Sequence, residues 1–202
     1  MSGWGPMSAT PTWGSLERDL PPGYGTRSGT SSDSFEAGGL SYDAVQFGGC
    51  MLLLTTNAQA ITTATDTTLL FNSEVFDTMD LYDAPTANGT ITIPRAGIWR
   101  LTGCVQWNNG SATGYRRAYI TSNSRGQIAQ HQVSPVDTAV DPTNIVTTMG
   151  VFPAEDTFLL KVHQTSGAGL NVQASLGTIP LRDWKTFFSA EYLGPTPQGY
   201  IE

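Results

Sequence analysis

Few side chains in this 202-residue chain could do acid–base or metal chemistry, and their spacing argues against both. Its two histidines are His131 and His163. His163 alternates with Lys161 and Thr165, which places it on one face of a strand, and His131 is flanked by Gln130 and Gln132. General acid–base catalysis needs such groups gathered at one centre. No G-x-S-x-G, H-E-x-x-H or glycine-rich phosphate loop is present to gather them. The carboxylates cluster at Asp77, Asp80 and Asp83 and at Glu155-Asp156. Three acids on one loop could offer oxygens to Ca²⁺, but the spacing lacks a central glycine and a closing bidentate glutamate. They read as solvated loop acids, with Asp77 capping its own backbone.

Cys50 and Cys104 lack zinc-site spacing and lie within apolar strand patterns. They read as buried thiols acting as small hydrophobes; a disulfide joining them is the alternative, which sequence alone does not decide. Arg116 and Arg117 are adjacent on an alternating run, so they point to opposite faces. The chain therefore predicts no enzyme: no catalytic residue, no metal ligand and no cofactor.

Charge narrows the partners. The formal net charge is −7, and the only lysines are Lys161 and Lys185. Nucleic acid is met by basic patches, so it is excluded as a partner. No apolar run reaches membrane-spanning length, Cys50–Leu54 being of strand length, and membrane insertion is excluded with it. The N-terminus carries no basic stretch followed by an apolar one. The expectation is synthesis in a cytoplasm and export, if any, as part of an assembly.

The elements that would position these residues are strands. Thr90–Trp107 reads TITIPRAGIWRLTGCVQW, with Pro94 stopping one strand and Ala96-Gly97 turning the chain into the next. Ile98, Arg100, Thr102 and Cys104 face one way; Trp99, Leu101, Gly103, Val105 and Trp107 face the other. Further strands are read at Gly49–Thr55, Thr67–Phe76, Gly114–Thr121, Gln127–Val133, Asn144–Phe152, Thr157–Gln164, Leu170–Ala174 and Phe187–Leu193. Together they make about ten short strands at sandwich-like spacing, and scarce Lys and Glu argue against long helices.

Residues 1–46 are different. They are rich in Gly, Ser, Thr and Pro, and at most Ser15–Leu20 could form one helical turn before Pro21-Pro22. Yet they carry spaced aromatics, Trp4, Trp13, Tyr24, Phe35 and Tyr42, which suit docking of an extended anchoring arm into pockets on a partner.

Several segments in order resemble the C1q/tumour-necrosis-factor jelly roll, in the version found in bacteriophage structural proteins. They are Leu70–Asp77 (LFNSEVFD), Ile93–Trp107 with Trp99 in the usual Tyr place, Gly114–Gly126 with Arg116 and Ile120 in register, Val151–Gln164 (VFPAEDTFLLKVHQ) and Phe187–Gly194 (FFSAEYLG). Glu155 replaces a common Gly, so the turn there is expected to be built differently. The resemblance covers residues 47–194 and leaves 195–202 as a short tail. It implies an all-β, two-sheet antiparallel jelly-roll sandwich that packs as a homotrimer, with Arg116 held by an intramolecular or intersubunit carboxylate. The expected function is a non-enzymatic virion structural protein: a trimeric minor tail or tail-tip protein. Its arm engages other virion proteins, while polar loops at Asp83–Gly89, Asn108–Gly114 and Ser134–Pro142 meet host surface glycan. The alternatives are a capsid decoration or head-fibre protein and, in another class, a soluble C1q-like glycan-binding protein.

Overall fold

The computed structural model describes residues 35–37, 40–42, 48–55, 58–83, 89–108, 110–135, 137, 139–175 and 185–196, the first two stretches by backbone alone. The chain divides into two compact units, Met1–Val45 and Gln46–Glu202.

In the smaller unit, β1 (Phe35–Ala37) and β2 (Leu40–Tyr42) pair antiparallel, with Phe35 opposite Tyr42. The segment read as an irregular arm thus contains a hairpin. The helical turn expected at Ser15–Leu20 lies outside the described residues.

The larger unit holds β3 (Gly48–Leu53), β4 (Gln59–Ile61), β5 (Thr67–Thr68), β6 (Ser73–Asp77), β7 (Thr90–Thr92), β8 (Gly97–Gln106), β9 (Arg116–Ser122), β10 (Gly126–Val133), β11 (Thr143–Phe152), β12 (Thr157–Gln164), β13 (Leu170–Val172) and β14 (Phe187–Gly194). All pair antiparallel. One sheet runs β11-β8-β14-β3-β6; the other runs β10-β9-β12-β5, with β7 also pairing β12. A small ribbon, β13 on β4, closes one side. Among the described residues there is no helix. The all-β jelly-roll sandwich expected from the sequence is the observed architecture.

Period-two alternation builds the core. Trp99, Leu101, Val105 and Phe188 from the first sheet meet Ile120, Phe158, Leu160 and Val162 from the second. Gly103 faces Leu160, and a Cβ there would lie 2.6 Å from its Cδ1; the sheets close at this point because the side chain is missing. Trp99 is fully buried, its ring 5.0 Å from that of Tyr192 and its indole N–H donating to the Arg95 carbonyl at 3.2 Å.

Two strand readings are corrected. Thr67–Phe76 is two strands, because β5 pairs β12 in one sheet and β6 pairs β3 in the other. Between them the chain crosses the sandwich, burying Leu69 and Phe71 and bonding Leu69 N to Leu160 O and Asn72 N to Leu53 O. The three apolar residues Leu69–Phe71 look the same in sequence whether they continue a strand or cross between sheets. β4 also went unread, since three residues give too short a pattern.

At the β11–β12 turn Glu155 takes φ +63°, the left-handed conformation. The turn keeps a glycine-like shape with a glutamate in place. Glu155 N donates to Ile93 O at 2.8 Å, and Ile93 N donates to Asp156 O at 3.1 Å, which hold it there.

Candidate functional site

The outward face of β11-β8-β14-β3-β6 carries the strongest sign of an interaction surface. A sheet face in water alternates to polar residues. Here register lays an apolar row across four strands: Ile145, Cys104, Phe187 and Leu53. The next row is Thr147, Thr102, Ser189, Met51 and Phe76. The third is Met149, Arg100, Glu191 and Gly49, in which Arg100 and Glu191 form an ion pair, Arg100 Nε lying 3.1 Å from Glu191 Oε2. Ile145 is 60%, Met149 65% and Phe76 46% exposed. The exposed apolar side chains thus stand on the two edge strands, β11 and β6, with Cys104, Leu53 and Met51 buried between them; large apolar side chains exposed on a sheet face mark an interaction site.

The face is shaped as well as apolar. Along the β3, β6 and β14 side runs an open groove of about 460 Å³, lined by Gly48, Met51, Phe76, Phe187, Ser189 and Glu191 among others. On the opposite edge, β11 presents Ile145 and Met149 as knobs. Sequence reasoning singled out none of these residues. The available signal was NIVTTMGVF, in which apolar residues fall on both faces of one strand, as they do when both faces are covered.

The residues that were singled out have other duties. Asp77 accepts hydrogen bonds from the backbone N–H groups of Met79 (3.1 Å), Leu81 (2.7 Å) and Tyr82 (2.9 Å), so it caps its own loop as expected. Asp80 and Asp83 are exposed, and among the described residues no group of three or more His, Cys, Asp or Glu is arranged to hold a metal. Asp156 is buried. Its oxygens accept from the hydroxyls of Ser122 (2.7 Å) and Ser124 (2.6 Å) and from the amides of Ser124 and Thr157. Burial works to raise its pKa, but the serine and backbone donors outweigh burial and hold the carboxyl below its usual value.

Arg116 is buried, and among the described residues of its own chain no carboxylate holds it. It donates instead to three backbone carbonyls, Ser111 (2.9 Å), Thr113 (3.1 Å) and Tyr115 (3.2 Å). The guanidinium pins the loop before β9 from beneath, and burial lowers its pKa.

Cys50 and Cys104 are free thiols on opposite faces of the same sheet, Cys50 in the core and Cys104 on the outward side, which excludes a bridge between them. Burial pushes Cys50 up to about 12 and raises Cys104. Of the aromatic arm residues, Trp4, Trp13 and Tyr24 lie outside the described residues, and of Phe35 and Tyr42 only the backbone is described. Of the polar loops, residues 84–88, 109, 136 and 138 also lie outside them.

The sandwich and its topology define a jelly roll of the tumour-necrosis-factor-like class. The chain is similar to two crystal structures of murine APRIL, one at pH 8.0 and one at pH 5.0. Both superpose with a TM-score of 0.51, at 14% and 15% identity, over 73% of this chain and 100% of that chain. At such identity the likeness carries the fold alone. No protein-family model matches the chain, and no curated protein matches it in sequence.

Proposed function

We propose that the chain is a non-enzymatic structural protein of a bacteriophage virion. In this reading it is a homotrimeric minor tail or tail-tip protein, made in the host cytoplasm, anchored by residues 1–46 and contacting the host surface. The virion setting rests on the sequence resemblance and the aromatic arm. The trimer rests on one further observation: the apolar outward face of β11-β8-β14-β3-β6.

That face carries knobs and a groove on opposite edges. Seating Ile145 and Met149 of one copy in the Met51–Phe76–Phe187 groove of the next is a head-to-tail contact, which makes a trimeric ring where a threefold rotation relates the copies. Each large apolar side chain so covered contributes about 1.5–3 kcal/mol. The Arg100–Glu191 pair in the same face fixes orientation more than affinity.

Immunogold labelling of purified particles tests the setting. Label at the tail or its tip supports the reading. Label over the capsid makes the protein a decoration or head-fibre component, and no label on particles removes the virion role. Deleting residues 1–46 is expected to leave a folded trimer that no longer enters particles.

A further inference from the structure

The outward face of the second sheet has a different chemistry. Register places Gln132, Arg117 and His163 side by side, and Gln130, Tyr119, Lys161 and Thr68 in the next row. These are planar or hydrogen-bonding groups, where the first sheet shows Ile, Met and Phe.

At one end this face runs into three loops that are bonded into a single platform. Ala64 N donates to Gln164 O at 2.7 Å, and Gly167 N donates to Thr63 Oγ1 at 3.2 Å. Thr113 Oγ1 donates to Ser166 O at 3.1 Å, and Tyr115 N donates to Thr165 Oγ1 at 3.1 Å. Arg116 ties the same loop from below. Ala64 takes φ +56°, a left-handed conformation that an alanine adopts only when its surroundings impose it. Two residues on, that loop delivers Asp66.

Asp66 is the hub of the platform. Its Oδ1 lies 2.9 Å from His163 Nδ1 and 3.2 Å from an Arg117 terminal nitrogen. Tyr119 also hydrogen-bonds this carboxylate. The Arg117 guanidinium lies 4.8 Å over the Tyr119 ring, and the His163 ring stacks on Tyr115 at 5.7 Å and 14°. Burial works to raise the Asp66 carboxyl, but the hydrogen bonds from Tyr119 and His163 and the charge of Arg117 hold it below its usual range. The Asp66 side chain is nevertheless 56% exposed. An ionised carboxylate has roughly four acceptor positions, and this one is open to water beside the stacked Tyr115–His163 pair.

The chemistry selects the ligand class. An anion would compete with Asp66, on which His163, Arg117 and Tyr119 converge. An apolar side chain would find its surface on the other sheet. A neutral sugar matches both halves of the platform: adjacent hydroxyls donate to a fixed carboxylate and accept from amide and guanidinium N–H groups, while a C–H face lies against an aromatic ring. We propose that Asp66, with Tyr115, Arg117 and His163, forms a binding site for a neutral, hydroxyl-rich sugar residue. This rests on the reading of the chain as a surface-recognising trimer, and it moves recognition from the loop tips to the end of a sheet. Each site is shallow, so useful avidity comes from presenting several at once.

The test is binding of the full chain to an array of immobilised neutral and acidic oligosaccharides, repeated for Asp66→Asn, Tyr115→Ala and, on the other sheet, Thr147→Ala. The expected result is retention on neutral glycans, weakened at least tenfold by Asp66→Asn and by Tyr115→Ala and unchanged by Thr147→Ala. Thermal melts and light scattering should show all three variants folded and assembled like the parent. Retention on acidic glycans only, no retention, or retention indifferent to Asp66→Asn and Tyr115→Ala would each overturn the site. Because assembly is read by scattering and particle location by labelling, failure here leaves those two results standing on their own.

Discussion

Trp99, Asp156 and the two cysteines show what single side chains contribute. Trp99 combines full burial, an aromatic neighbour and a satisfied indole N–H. Trp99→Ala removes all three, and a loss of about 3–5 kcal/mol is expected in urea unfolding. Asp156 makes stability depend on acid. Its folded pKa is depressed, so its contribution is present above the ordinary carboxylate value and is lost as pH falls through that value and the folded one. The melting-temperature gap between the parent and Asp156→Asn should therefore shrink between about pH 5 and pH 2. Cys50 and Cys104 are held as protonated thiols by burial. Alkylation by iodoacetamide at neutral pH should be slow in the native protein and fast in denaturant; fast native modification would mean that the sheet opens around them.

At the scale of elements, turns and crossings carry the specificity. Asp77 and Asp156 each organise a turn by accepting backbone amides, so acids that look available for metal in the sequence are already spent. The β11–β12 turn holds a glutamate in a conformation that favours glycine. Glu155→Gly should raise stability by up to about 1 kcal/mol, the relief of left-handed strain being partly offset by the added freedom of the unfolded chain. A fall in melting temperature would show that the Glu155 side chain contributes more than its backbone costs. Gly103 faces Leu160 across the sandwich with no room for a Cβ, which explains a glycine in the middle of β8.

At the scale of the whole molecule, the two outward faces differ in chemistry. One is apolar and grooved, the other polar and locked by hydrogen bonds. Ile145→Asp and Met149→Asp place charge on the apolar face without touching the core. Light scattering should show trimer converted to monomer with little change in the monomer's melting temperature. A trimer that survives both substitutions would remove this face as the assembly surface.

Strand positions, the facing of Trp99 against Arg100 and the all-β class were legible in the sequence, because period-two alternation is a local consequence of the pleated backbone. The same locality explains the failures. Whether Thr67–Phe76 stays in one sheet or crosses to the other depends on partners in β12 and β3, far along the chain. The fate of Arg116 depends on three carbonyls of a loop that folds over it, not on any acid nearby in sequence. The gathering of Asp66, Tyr115, Arg117 and His163 is likewise a product of register between β9 and β12 and of a loop preceding β5. Composition and alternation determined that this chain builds an apolar-cored β-sandwich. Only the tertiary structure decided which residues share a face, because register between distant strands is set by the packing of the entire core and not by local pattern.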